Sequence, residues 1–239
     1  MPVLVGRCCA FMQSWSISGR MQIIDSGSET SKSGLIGVLC NAAGIPRHRD
    51  DIVERLAMTE MAVRVDRPGS RLCDYHTVSG FMTEDGSYQM PLADGETRNT
   101  PAITYRNYII DGEFLVFLEG PSDLLGPFNE AIIRPVRAYY FGRKCCIPSL
   151  PMGVSTTLFP GTIDEALAAI PWRSRRGEKR PGGPLRIVRD SLRATNDVRM
   201  DVPLTFRHNA EIRFGQRCVT TSWIRPPRIS ENPVCSFTG

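Results

Sequence analysis

Residues 103 to 120 read ITYRNYIIDGEFLVFLEG, and the two halves of this stretch follow different rules. EFLVFLEG (113–120) is strongly apolar and reads as a core strand. ITYRNYI (103–109) mixes aromatic, charged and aliphatic residues, and so does DYHTV (74–78) upstream. The residues between them, 79–101, are polar and rich in glycine and turn formers, with little to bury. A segment of that kind between two strand-like runs is most simply a long projecting hairpin or loop.

Working outward, PVLVGRCC (2–9) reads as a buried opening strand, and residues 14–33 as a polar Ser- and Gly-rich loop. SGLIGVLCNAAGI (33–45) reads as a helix capped by Ser33, with Leu35, Ile36, Leu39 and Ala43 on one side and Gly44 and Pro46 ending it. Its small residues Gly34, Gly37 and Ala42 let another backbone approach. DDIVERLA, from Asp50, places acidic residues in a helix's first turn. MAVRVDRPG (61–69) alternates and ends in a turn, and RLCDYHT follows as a further strand. SDLLGPFNEAII predicts a helix, AYYFGRKCC a strand and DEALAAI a short helix. RSRRGEKRPGG (173–183) lacks periodicity and reads as a mobile basic loop. LRIVRD and VPLTF close the fold as strands, before an irregular Pro-rich tail beyond Trp223. Strands and helices mix without regular βαβ alternation, which favours an α+β sheet over a doubly wound one.

A chain of 239 residues with 41% hydrophobic and 23% charged content can bury an ample core. Asp111 and Glu113 interrupt the most apolar segment, so no membrane span is expected. The N-terminus lacks a signal-peptide pattern, which places the chain in the cytoplasm and its eight cysteines as free, mostly buried thiols. The net charge of +4 hides an asymmetry: residues 1–170 carry −4 and residues 171–239 carry +8. The basic residues are arginine except for Lys32, Lys144 and Lys179. Because the guanidinium fork suits phosphate and base edges, the composition points weakly to a polyanionic partner.

GSETSKSG (27–34) looks like a phosphate-binding loop but has serine, Ser26 and Ser31, where that loop needs glycine. What survives is Lys32 and Ser33 at a helix N-terminus, where free N–H groups attract phosphate, against the plainer reading of a capped helix. In DYHT, Asp74 and His76 share one face of a strand while Tyr75 and Thr77 take the other. An Asp-His or Tyr-His pair could serve acid–base chemistry, but a structural histidine at the base of the arm accounts for it better. The three histidines, His48, His76 and His208, have no cysteine or second histidine at ligand spacing, and no C-x-x-C occurs, so neither metal nor cofactor is expected. Adjacent cysteines on a strand face opposite ways, so Cys8-Cys9 and Cys145-Cys146 each place one thiol in the core and one against a neighbouring element.

Five stretches in register, MQSW (12–15), SKSGLIGVLCNAAGI (31–45), RLCDYHT (71–77), YRNYIIDGEFLVFLEG (105–120) and FGRKCCIPSLP (141–151), resemble CasD-type subunits of the type I-E CRISPR Cascade complex, in the RAMP superfamily. The resemblance runs from residue 3 to about residue 225. It implies a ferredoxin-like, RRM-related domain over residues 1–150 with a β-hairpin thumb at about 78–104, and a smaller β-rich extension over 151–239. It also implies a non-catalytic subunit that caps the 5′ handle of the CRISPR RNA and joins the complex's backbone subunit and its large PAM-recognising subunit. Single-stranded RNA is held by phosphate contacts and by stacking of splayed bases. The candidate RNA contacts are Lys32, Ser33, Arg71, Tyr75, His76, Arg98, Tyr105, Arg106, Gly142, Arg143 and Lys144. A weaker target-DNA contact falls on the basic loop, at Arg173, Arg175, Arg176, Lys179 and Arg180. The alternative is a metal-independent endoribonuclease, as in the related type I-C protein, built on Tyr75, His76 and Lys32.

Overall fold

The structure, a computed structural model, describes residues 1–20, 22–92, 94–175, 178–179, 181–207 and 213–225. Along the chain run β1 (Val3–Cys9), β2 (Met12–Gln13), β3 (Ser16–Arg20), β4 (Ile23–Ser26), α1 (Lys32–Ala42), α2 (Asp50–Ala57), β5 (Glu60–Arg67) and β6 (Ser70–Val78). The arm follows, with β7 (Phe81–Met82), β8 (Tyr88–Pro91) and β9 (Thr97–Arg98). Then come β10 (Ala102–Ile110), β11 (Glu113–Glu119), α3 (Ser122–Ile133), α4 (Ile163–Ala169), β12 (Leu185–Ser191), β13 (Val198–Pro203) and β14 (Phe214–Ile224).

The main sheet is antiparallel throughout, in the order β1-β11-β5-β12-β14-β13. β11 is buried on both faces because its alternation serves two cores. Phe114, Val116 and Leu118 meet Leu4, Val63 and helix residues Leu35, Leu39, Leu56 and Phe128. Leu115 and Phe117 meet Val3, Val5, Ala62, Ile187 and the α4 residues Ile163, Ala166 and Leu167. Each such side chain contributes ~1.5–3 kcal/mol when fully buried. The other edge of β1 is covered by an irregular segment, with bridges Val3–Phe159, Gly6–Gly153 and Ala10–Pro148. This is the ferredoxin-like order with a loose fourth strand, extended by β12, β14 and β13. The α+β expectation holds.

A second sheet pivots on β10, which pairs with β6 over its whole length, with β2 at Ile109–Ile110 and, in parallel, with β4 at Tyr105–Arg106. β6 and β10 therefore form a ribbon that carries the arm, whose short strands make a sheet of their own, β7-β8-β9.

Several expectations are corrected. The 14–33 loop contains β3 and β4. Ser31, not Ser33, caps α1: its Oγ accepts from the Gly34 amide at 3.3 Å. Residues 138–146 form no strand. Gly142 sits at φ +95°, where any Cβ would meet the Ser14 carbonyl, and the chain closes into a turn through Phe141 N–H to the Cys146 carbonyl (2.9 Å) and Cys146 N–H to the Arg143 carbonyl (2.8 Å). The aromatic residues there anchor instead of pleating: Phe141 is fully buried, 5.7 Å from the Trp15 ring. Segment 173–183 is held at Arg173 and Glu178: Arg67, stacked 4.7 Å over Trp172, donates to Glu113 (2.6 Å), to the Arg173 carbonyl (2.8 Å) and to Glu178. The closing strand lies at 198–203 instead of 202–206, and β14 is a strand the sequence reading had not assigned. His208, Arg176, Arg180 and the tail from 226 lie outside the described residues.

Candidate nucleic-acid interface

Directly paired residues share a face of an antiparallel ribbon. One face of the β6–β10 ribbon carries Arg71 and the cross-strand pair Tyr75–Tyr105. The two tyrosine rings lie 5.5 Å apart at 71°, edge to face, and both are exposed. Arg71 is largely exposed and 3.6 Å from Asp25. The other face carries Leu72–Tyr108, Asp74–Arg106 and His76–Thr104. There Arg106 Nε donates to Thr104 Oγ1 at 3.3 Å, and the same hydroxyl is 3.5 Å from His76 Nδ1.

At the root of this second face the 141–146 turn folds over Tyr108. The Arg143 guanidinium stacks 4.4 Å above the Tyr108 ring, and Tyr108 Oη lies 3.9 Å from Cys145 Sγ. Stacking a cation on a ring gains ~0.5–2 kcal/mol. The two terminal nitrogens of Arg143 are buried and have no hydrogen-bond partner. A buried donor left unsatisfied costs ~1–3 kcal/mol, more when charged, so beyond its contact with the Tyr108 ring this guanidinium has donor capacity to spare. Lys144 beside it is exposed. Burial pushes the Tyr108 hydroxyl above its usual range and the Cys146 thiol up to about 11. Cys145 is exposed.

Placing the sequence candidates on this frame divides them. Arg106, His76, Arg143, Lys144 and Gly142 gather on one ribbon face and its turn, whereas Tyr75, Tyr105 and Arg71 take the opposite face. Arg98 sits on β9 in the arm, exposed, with Nη2 3.5 Å from Thr100 Oγ1.

Lys32 is corrected: its ammonium is buried and donates to the Thr59 carbonyl (2.7 Å) and to Asp190 (2.8 Å). The helix N-terminus is filled as well, because the Lys32 amide donates to Asp201 Oδ2 at 2.8 Å. An anion does sit where the dipole favours one, but it belongs to the chain. Arg217 grips that carboxylate through Nε (2.6 Å) and Nη2 (2.8 Å) and also reaches Asp190. Although burial pushes the Asp201 carboxyl up, the Arg217 bonds outweigh it and hold it below the usual range.

The constellation of Tyr75, His76 and Lys32 is not assembled, since the first two face opposite ways and the third is buried elsewhere. In the basic loop, Arg175 is committed to Asp111 and lies 3.5 Å from Glu113, while Arg173 and Lys179 are exposed. Sequence reading missed Tyr108; its position two residues from Arg106 on a strand was the available signal. Among the described residues no three His, Cys, Asp or Glu side chains gather to hold a metal, and no helix is long and apolar enough to cross a membrane.

An antiparallel sheet with α1 and α3 on one face, a strand-borne arm and arginine beside aromatic rings defines a RAMP-type α+β protein. The chain belongs to the CRISPR-associated protein (Cas_Cas5) family, whose model matches residues 3–220. Among solved structures it is similar to a chain of a "CRISPR RNA-guided surveillance complex", with 28% identity and a TM-score of 0.75, over 94% of this chain and 91% of that one. It is also similar to a protein described as "Crystal structure of Cas protein", with 27% identity and a TM-score of 0.72, over 97% of this chain and all of the other. No curated protein matches it.

Proposed function

We propose that this chain is a non-catalytic RNA-binding subunit of a type I-E CRISPR surveillance complex, capping the 5′ handle of the CRISPR RNA and joining the backbone and large subunits. The observation that carries this reading is Arg143: a guanidinium fixed on Tyr108, with both terminal nitrogens buried and unpartnered, in line with Arg106 and His76 on one ribbon face. A preformed guanidinium fork suits phosphate or carboxylate, and the CRISPR RNA setting of the family favours phosphate. Lys144 adds an exposed charge, and the Tyr75–Tyr105 pair on the opposite face offers rings for base stacking. The family and the surveillance-complex likeness support the setting.

The test is the double variant Arg143→Glu with Lys144→Glu, in complexes purified from the host. Loss of the CRISPR RNA from the complex, with the variant chain still folded, is the expected result. Normal RNA loading overturns the site. Cleavage of repeat RNA by the purified chain in EDTA, abolished by His76→Ala, overturns the non-catalytic reading.

A further inference from the structure

Adjacent side chains on a strand diverge, and Cys8 and Cys9 on β1 do so. Cys8 lies in the core with the α1 residues Leu35 and Leu39, while Cys9 lies on the other face, its Sγ 3.7 Å from Arg175 Nη2. Cys145 and Cys146 are held in a turn instead, closed by the Cys146 N–H on the Arg143 carbonyl at 2.8 Å. We propose that this pair is an oxidative modification site, in which a disulfide between the two adjacent sulfur atoms draws Arg143 off Tyr108 and weakens the RNA grip; the effect on RNA rests on the RNA-binding reading above.

Three features carry it. Access is divided as a sensor pair requires: Cys145 is exposed, so an oxidant reaches its sulfur, and Cys146, fully buried, is the resolving thiol next to it. Burial first, and the Cys145 thiol with it, raises Cys146 to about 11, so the two groups already act on one another. The coupling to Arg143 is short. Cys145 Sγ lies 3.9 Å from Tyr108 Oη, on whose ring the guanidinium stacks at 4.4 Å, and the Cys146 amide holds the Arg143 carbonyl. Drawing the sulfur atoms together therefore moves the residue that carries the cation. The bond is also easily undone. Adjacent Cα atoms are about 3.8 Å apart, whereas bridged cysteines usually sit roughly 4.4–6.8 Å apart, and a strained disulfide is the more readily reduced. With hydrogen peroxide as the oxidant the step balances. The Cys145 thiolate attacks one peroxide oxygen and becomes a sulfenic acid, and the hydroxide expelled takes up the proton that the thiol gave. The Cys146 sulfur then displaces the second oxygen as water and closes the S–S bond. Two thiols lose two electrons and two protons, and the peroxide leaves as two waters.

The test uses the full chain treated with hydrogen peroxide, alkylated after unfolding and mapped by mass spectrometry. The peptide holding Cys145 and Cys146 is expected to lose two hydrogen masses and to escape alkylation until dithiothreitol is added, while the Cys8–Cys9 peptide stays a dithiol. Fluorescence anisotropy with a synthetic RNA of the repeat-derived 5′ segment from the host's CRISPR array reads the consequence. Oxidation should weaken binding about tenfold, the loss of one charge-assisted hydrogen bond, and dithiothreitol should restore it. Cys145→Ser should bind the RNA as the natural chain does and keep its affinity in peroxide. Both cysteines still alkylated after peroxide treatment, or a Cys145 sulfinic acid in place of the bond, overturns the site. A disulfide that leaves RNA affinity unchanged overturns the switch, as does a Cys145→Ser chain that still loses affinity in peroxide. No RNA binding by the reduced natural chain overturns the RNA reading and the switch together, and the bond then stands or falls by its mass alone.

Discussion

Asp201 sits where two demands meet, the α1 N-terminus and the Arg217 guanidinium, and Arg217 also reaches Asp190, the carboxylate paired with the Lys32 ammonium. Lys32, Arg217 and Asp201 are each more than nine-tenths buried at the side chain. Removing one partner of such a network leaves charges unsatisfied, so Asp201→Ala is expected to destabilise the chain by ~3–5 kcal/mol in urea unfolding. Asp201→Asn, which keeps an acceptor for the Lys32 amide, should cost clearly less; equal costs would mean that the charge has no part. The thiols give a second prediction at this scale. Burial raises Cys8 and Cys40 to about 12 and Cys146 to about 11, while Cys73 and Cys145 are exposed. Because the thiolate is the reactive form, peptide-mapped alkylation at neutral pH should label Cys73 and Cys145 well before those three. Early labelling of Cys146 would contradict its burial. The sequence carried the preference for an anion at the start of α1, yet nothing local could tell that a carboxylate 169 positions away supplies it.

At the scale of elements, the arm and β11 were legible because their signals are local: a polar, glycine-rich stretch between strand-like runs, and an apolar run beside a turn. The 138–146 segment was not. Its run of aromatic residues, Tyr139 to Phe141, imitates a strand, and the left-handed Gly142 against the Ser14 carbonyl turns it aside. Gly142→Ala therefore forces a strained φ and a backbone collision. It should destabilise the chain by ~1–3 kcal/mol, the cost of a residue held in a disfavoured conformation. It should also displace Arg143 from Tyr108 and so reduce RNA retention. Full retention with a lowered melting temperature would separate the turn's structural role from the binding one. The ribbon faces were legible as well: strand periodicity alone put Asp74 and His76 opposite Tyr75. Which face the turn covers depends on tertiary packing, and so the Arg143–Tyr108 stack stayed out of sight.

At the scale of the whole molecule, the main sheet crosses the boundary expected near residue 150, because β5 pairs with β12. Two ion networks bind the later strands to the first half: Lys32–Asp190–Arg217–Asp201, and Glu29 held between Arg186 and Arg199. The two parts are therefore expected to unfold in one cooperative transition, with residues 1–150 alone failing to fold, since the β5 edge would lose β12 and the buried Lys32 ammonium its carboxylate partner Asp190. Acid should act through the same seam. Glu29, like Asp201, is pushed up by burial but held lower on balance, by Ser28, Arg199 and Arg186. A carboxylate depressed in the folded state adds stability above its unfolded value and loses it as pH falls through the folded one. Both contributions should begin to fade as pH drops through about 4, the ordinary carboxylate range. Asp66 acts the opposite way: burial outweighs the Arg64 bonds and raises it, so its protonation in acid relieves a cost. The melting temperature should therefore fall from pH 6 towards pH 3, and Asp201→Asn should make that fall shallower, because one of the seam's depressed carboxylates is gone. An unchanged slope in Asp201→Asn, or a separately melting 1–150 fragment, would show that the seam does not hold the molecule together.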